Sequence, residues 1–287
     1  RRETEHADGT ADMKPETADD LERLLVGRPN DSELWIRYMA FHLSIADIEA
    51  APSVARMASD RIDYRQERDK LNVWTALLTL EHKYGNETSF QSTLSRAIRE
   101  SNPKHTYLRA CEILEKDLER VSHETSAVKR ADDLFATMCR KYRLKKKVWL
   151  AFVQYLLRQS RDQEAHATMK RALRSLPSYK HAETMSRVAQ MEFDVGSPTR
   201  ARTLFDGLIA KYPKRLDLFF VYVDKEGKFG KIENARKLLE DKVSRRALSD
   251  HKMKSLFKKW YRMEEEHGTE ESSEHVKDMA RSYVEAG

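Results

Sequence analysis

The sequence predicts an all-α protein, a right-handed α-solenoid of about seven helical hairpins. Three observations predict it. Only 9 Gly and 7 Pro occur in 287 residues, too few for the many turns of a β-rich fold. A motif of an apolar or aromatic anchor, a second apolar residue three later and often a Glu seven later recurs along the chain, and these positions share one helix face. Gly and Pro fall at fixed offsets from that motif.

Residues 1–20 carry seven acids (Glu3, Glu5, Asp8, Asp12, Glu16, Asp19 and Asp20), almost no large apolar side chain and no periodicity. They read as a disordered acidic linker ahead of a solenoid over 21–287. A chain that begins at Arg1 also reads as a fragment of something longer. The best motif copies are Trp74–Leu77–Glu81, Leu108–Cys111–Glu115, Met185–Val188–Glu192, Phe219–Tyr222–Glu226 and Phe257–Trp260–Glu264. Trp35–Tyr38 and Trp149–Phe152 keep the apolar pair, with His42 and Leu156 at the Glu position. The anchors Trp35, Trp74, Leu108, Trp149, Met185, Phe219 and Phe257 are 34 to 41 residues apart, so each unit holds two helices. The anchor side chains, with Tyr38, Phe152, Tyr222 and Trp260, are expected to pack between helices.

Gly85, Gly196, Gly230 and Gly268 each follow the motif Glu by four residues. A helix ends readily on a residue of positive φ, so these glycines are expected to stop the first helix of each hairpin. The second helix carries small inner residues, as in Ala201–Arg202, Ala235–Arg236 and Arg171–Ala172. Pro29, Pro103, Pro177 and Pro213 separate hairpins, whereas Pro52 and Pro198 fit the first turn of a second helix. The Glu at +7 is expected to cap or pair within its hairpin junction.

Four Trp, eleven Tyr and ten Phe are enough for a core. No apolar run approaches the roughly 20 residues that span a bilayer, and no apolar N-terminal segment resembles a signal peptide. Cys111 and Cys139 lack metal or redox spacing and read as small buried residues in a reducing compartment. None of the phosphate-loop, dinucleotide, zinc-protease or serine-hydrolase motifs occurs. No enzyme activity, cofactor, metal, membrane or small-molecule substrate is therefore expected.

The net charge is +6, and it is blocked. Arg140, Lys141, Arg143, Lys145, Lys146 and Lys147 form one basic run. Lys242 to Arg262 holds a second, including Arg245, Arg246, Lys252, Lys254, Lys258 and Lys259. Residues 263–287 are acidic. The basic blocks are candidate docking sites for RNA or acidic partner segments; the bland alternative is a solvated helix face.

The anchor with an aromatic at +3, Glu at +7, an Ala-Arg helix and Pro resembles the half-a-tetratricopeptide (HAT) repeat, found mainly in RNA-processing assemblies. SELWIRYMAF (32–41), KLNVWTALL (70–78), LFDGLIAKYPKR (204–215), Lys146-Lys-Val-Trp149 and Phe257-Lys-Lys-Trp260 are similar to the C-terminal region of the ribosomal RNA-processing protein 5 family. The resemblance implies a nucleolar, non-catalytic scaffold of ribosome biogenesis that docks protein assembly factors in the small-subunit processome. Pre-rRNA or small nucleolar RNA is a possible further partner. The repeat class also admits a splicing or mRNA 3′-end scaffold.

Overall fold

The computed structural model describes residues 17–47, 49–118, 125–245 and 248–285. Among them are fifteen α-helices, one turn of 3₁₀ helix and no strand. Helix α1 (Ala18–Gly27) precedes seven hairpins. These are α2 (Ser32–Ser44) with α3 (Ala50–Arg61), α4 (Glu67–Tyr84) with α5 (Glu87–Glu100), α6 (Pro103–Leu118) with α7 (Thr125–Lys141), and α8 (Lys146–Arg158) with α9 (Asp162–Ser175). Then come α10 (His181–Asp194) with α11 (Pro198–Lys211), α12 (Leu216–Lys228) with α13 (Ile232–Ser244), and α14 (Asp250–His267) with α15 (Glu270–Glu285). The chain divides into two compact units, Arg1–Tyr142 and Arg143–Gly287. In each, the two helices of a hairpin pack together, and the first helix of one hairpin packs on the first helix of the next.

Helix α1 begins earlier than the acidic composition suggests. Thr17 caps it by accepting from the Asp20 amide at 3.2 Å, and Asp19 and Asp20 occupy its first turn, where the helix dipole favours acids. Leu21 and Leu25 are buried. The rest of the acidic segment, residues 1–16, lies outside the described residues.

Small residues let the helices approach: Ala51, Ala55, Ala58, Ala97, Ala110, Ala131, Ala201 and Ala235 have no exposed surface. Trp35, Trp74, Trp149 and Trp260 are buried, so they are packing residues and not surface platforms for bases. The guanidinium carbons of Arg61, Arg96 and Arg171, each from the second helix of the same hairpin, lie 5.8–5.9 Å from the Trp35, Trp74 and Trp149 rings. The Phe205 and Tyr222 rings stack 4.8 Å apart and join α11 to α12.

The first helices end in two different ways. Ala46, Ser160 and Gly230 stand eleven residues after their anchors and have φ of 62°, 56° and 76°. In each case the next amide (Asp47, Arg161 or Lys231) bonds the carbonyl five residues back at 2.9–3.1 Å, the Schellman closure. At Gly85 and Gly268, in the same repeat position, φ is −89° and −100°, and Gly196 is likewise outside the left-handed region. Positive φ therefore explains Gly230 alone. At Gly85, Gly196 and Gly268 a Cβ would collide with the carboxylate of Glu81, Glu192 or Glu264. At Gly196 glycine is there because the Glu side chain folds back over it; at Gly85 and Gly268 a Cβ would also stand 2.6 and 2.8 Å from the backbone carbonyl oxygen of that Glu.

The motif Glu does more than close its own hairpin. Glu81, Glu192, Glu226 and Glu264 are buried and reach the second helix of their hairpin. Their partners there are the Ser89 hydroxyl, the Ser197 amide (3.0 Å), the Asn234 amide group (3.3 Å) and the Ser272 hydroxyl. Two of them also bind backward. Arg202 on α11 forks onto Glu226 at 2.6 and 3.0 Å, and Arg236 on α13 onto Glu264 at 2.9 and 2.8 Å. The carboxylate thus ties together three helices of two hairpins.

Candidate nucleic-acid interface

The two basic sequence blocks are distributed over several elements. Arg140 and Lys141 end α7 in the first unit, where Lys141 Nζ donates to the Tyr107 hydroxyl at 2.6 Å and lies over its ring. Arg143 to Lys147 open the second unit. Their loop is tied down locally: Trp149 Nε1 donates to the Arg143 carbonyl at 2.8 Å, and Lys180 Nζ to the Leu144 carbonyl at 3.0 Å. Lys146 pairs with Glu183, and that bond, against burial, holds the Glu183 carboxyl below its ordinary range. Arg143, Lys145 and Lys147 remain exposed.

The second block splits. Lys242 Nζ donates to the Pro213 carbonyl and Lys252 Nζ to the Lys214 carbonyl, each at 2.9 Å. Burial, and then Arg245 nearby, push the Lys242 amine down. Arg215 forks onto Asp217 at 2.8 and 2.6 Å, which raises its guanidinium pKa, and it also feels Glu183. Lys180 thus ties loop 177–180 to loop 143–145, Arg215 in loop 212–215 feels the same Glu183 carboxylate that Lys146 holds, and Lys242 at the end of α13 and Lys252 at the start of α14 both bond loop 212–215. The result is one basic edge of Arg143, Lys145, Lys147, Lys180, Lys214 and Arg245. Arg246 lies outside the described residues. Lys254, Lys258 and Lys259 run along α14 instead, and Lys259 pairs with Asp224.

Tyr179 stands on this edge with 76% of its surface exposed, and Lys180 Nζ lies 5.4 Å from its ring centre. Tyr212 nearby carries Lys211 Nζ at 5.7 Å. Cations to neutralise phosphates beside an open aromatic ring are the components of single-strand nucleic-acid binding. Linear charge runs conceal Tyr179, Lys180, Lys211 and Lys214. The signal for Tyr179, Lys180 and Lys214 is repeat phase, because they lie five or six residues before an anchor, as Arg143 and Lys252 do.

Cys111 and Cys139 are both buried, and burial, then the neighbouring Cys139, pushes the Cys111 thiol well up. Among the described residues no group of three or more His, Cys, Asp or Glu is placed to hold a metal, and no helix is long and apolar enough to cross a membrane.

Residues 31–286 match the family model described as Suppressor of forked protein (Suf). The chain belongs to the Suf family. Suf-family membership agrees with the helical hairpins described above. The chain is also 37% identical over 273 residues to the mouse protein named Protein RRP5 homolog, and 40% over 272 residues to an Arabidopsis thaliana protein named rRNA biogenesis protein RRP5. A Schizosaccharomyces pombe protein of the latter name is 38% identical over 273 residues. These alignments take in 94–95% of this chain but only 14–16% of the relatives. This Suf-family chain is thus homologous to one helical-repeat region of much longer proteins, the region that its sequence strings resemble.

Proposed function

We propose that the chain is a non-enzymatic scaffold segment of ribosome biogenesis, working in the nucleolus. It docks protein assembly factors of the early pre-ribosome and small-subunit processome, and turns its basic loop edge toward pre-rRNA or small nucleolar RNA. The observation that carries this reading is sequence identity near 40% over almost the whole chain to proteins named for rRNA biogenesis. The edge supports the RNA contact because its cations include Lys180 beside the exposed Tyr179 ring and Lys211 beside Tyr212.

The test is sequencing of RNA crosslinked to the chain in cells, beside the variant Lys145→Glu/Lys147→Glu/Lys214→Glu. Lys146 is spared because reversing it would set it against Glu183. Enrichment of pre-rRNA or small nucleolar RNA, lost in the variant, is the expected outcome. In vitro, the slope of log affinity against log salt should fall by about 0.7 for each single-strand phosphate contact removed. Spliceosomal RNA or mRNA 3′ ends would move the chain to the other class of HAT scaffold, and salt-independent binding would refute the edge.

A further inference from the structure

A groove of about 1300 Å³ lies between α14 and α15. Its floor includes Phe257, Tyr261, Val276 and Tyr283, and Val284 on its wall is 77% exposed. The preceding hairpin indicates what shape such a face holds. Phe219, Val223 and Leu238 stand 38 residues before Phe257, Tyr261 and Val276, and they pack in one cluster with Met253 and Leu256 of α14. That face is covered by an α-helix.

Charge indicates the chemistry. Lys254, Lys258 and Arg262 line the groove at i, i+4 and i+8, exposed on one stripe of α14, about 12 Å long at 1.5 Å per residue. None has an acidic partner among the described residues, whereas their neighbours Lys259 and Lys277 are paired with Asp224 and Glu274. Of the acids lining the groove, Asp250 accepts from the Tyr283 hydroxyl at 3.2 Å and Glu265 bonds Tyr261. We propose that this groove docks an amphipathic α-helix of a partner protein, with its apolar face on the floor and carboxylates one turn apart along the Lys254–Arg262 stripe. This rests on the scaffold reading and names the chemistry of one docked partner.

The test is titration of the 287-residue chain with a 20-residue amphipathic peptide bearing Glu at i, i+4 and i+8, and with the same peptide bearing Gln there. The acidic peptide should bind saturably, and the Gln peptide about tenfold more weakly. Lys254→Glu/Lys258→Glu and Val284→Asp, which all alter exposed positions, should each weaken the acidic peptide about tenfold with unchanged helicity. Equal binding of both peptides, binding of neither, or indifference of the variants overturns the proposal. So does a concentration-dependent dimer abolished by Val284→Asp, which would make a second copy the occupant. Displacement of the peptide by single-stranded RNA that the same variants weaken would give the face to RNA, and overturns it too. A chain that binds no peptide yet still co-sediments with pre-ribosomal particles sinks the groove alone. A chain that binds the peptide but never joins those particles sinks the scaffold reading.

Discussion

Glu226 has no exposed surface, yet it is a carboxylate. It survives burial because Arg202 and Asn234 supply hydrogen bonds to both oxygens, which is what a buried charge requires. Glu264 is held the same way. Burial alone would raise its pKa, but Arg236, Ser272 and Trp260 outweigh burial and lower it. A folded carboxyl held below its unfolded value stabilises the fold above the unfolded pKa of about 4.3, and that contribution disappears as pH falls through the folded value. The urea midpoint of Glu264→Gln should therefore lie below that of the parent at pH 7, with the gap narrowing from about pH 5 to pH 3. A constant gap would refute this. Glycine makes a second residue-scale prediction. Gly196→Ala should cost about 1–3 kcal/mol by crowding the Glu192 carboxylate, and little in a Glu192→Ala background. Gly230→Ala should cost about 1–2 kcal/mol through its positive φ, whatever residue 226 is. Denaturant titration of the double-mutant cycle separates these two origins.

Two of the first helices are entered through their tryptophan. Trp35 Nε1 donates to the Pro29 carbonyl at 2.9 Å and Trp149 Nε1 to the Arg143 carbonyl at 2.8 Å, six residues back in both. The indole thereby fixes the loop that leads into α2 or α8. Trp74 Nε1 is buried with no hydrogen-bond partner among the described residues. The three side chains look equivalent in sequence but are not equivalent in energy. Trp149→Phe should destabilise more than Trp74→Phe by about 1–2 kcal/mol, because only the first leaves a carbonyl unpaired while the second removes an unsatisfied donor. Equal losses in paired denaturation curves would contradict this. The two modes of ending a helix belong to this scale as well. His42 and Leu156 at the Glu position coincide with a left-handed closure at Ala46 and Ser160, and Gly230 closes the same way behind Glu226, so a carboxylate at that position does not by itself decide the ending.

The second unit, Arg143–Gly287, holds both the basic loop edge and the α14/α15 groove. Stacked hairpins contact their neighbours, so stability is a sum of local terms. Residues 143–287 produced alone should keep their helical circular dichroism per residue and bind single-stranded RNA within about threefold of the whole chain, as expected if the phosphate contacts all lie in this unit. Loss of helicity would mean that the unit needs residues before Arg143. Loss of affinity alone would mean that Arg140, Lys141 or other residues of the first unit contribute.

The fold class and the seven hairpins were legible in the sequence, because a buried helix face imposes a 3.6-residue period and a stack imposes the repeat of it. The family was legible from particular strings such as those around Trp35 and Trp74. Two things were not. The reason for Gly85, Gly196 and Gly268 required the position of a carboxylate folded back from four residues earlier, and at Gly85 and Gly268 of that residue's carbonyl as well, and local sequence records no such path. The charged surface required knowledge of which loops meet. Charge runs along the chain joined Lys242 to Lys258, whereas folding set Lys180 on Leu144 and Lys252 on Lys214 and ran Lys258 along the exposed face of α14. Periodicity is a property of one segment and can be read from it. Contact between side chains 30 to 40 residues apart exists only once the hairpins stack.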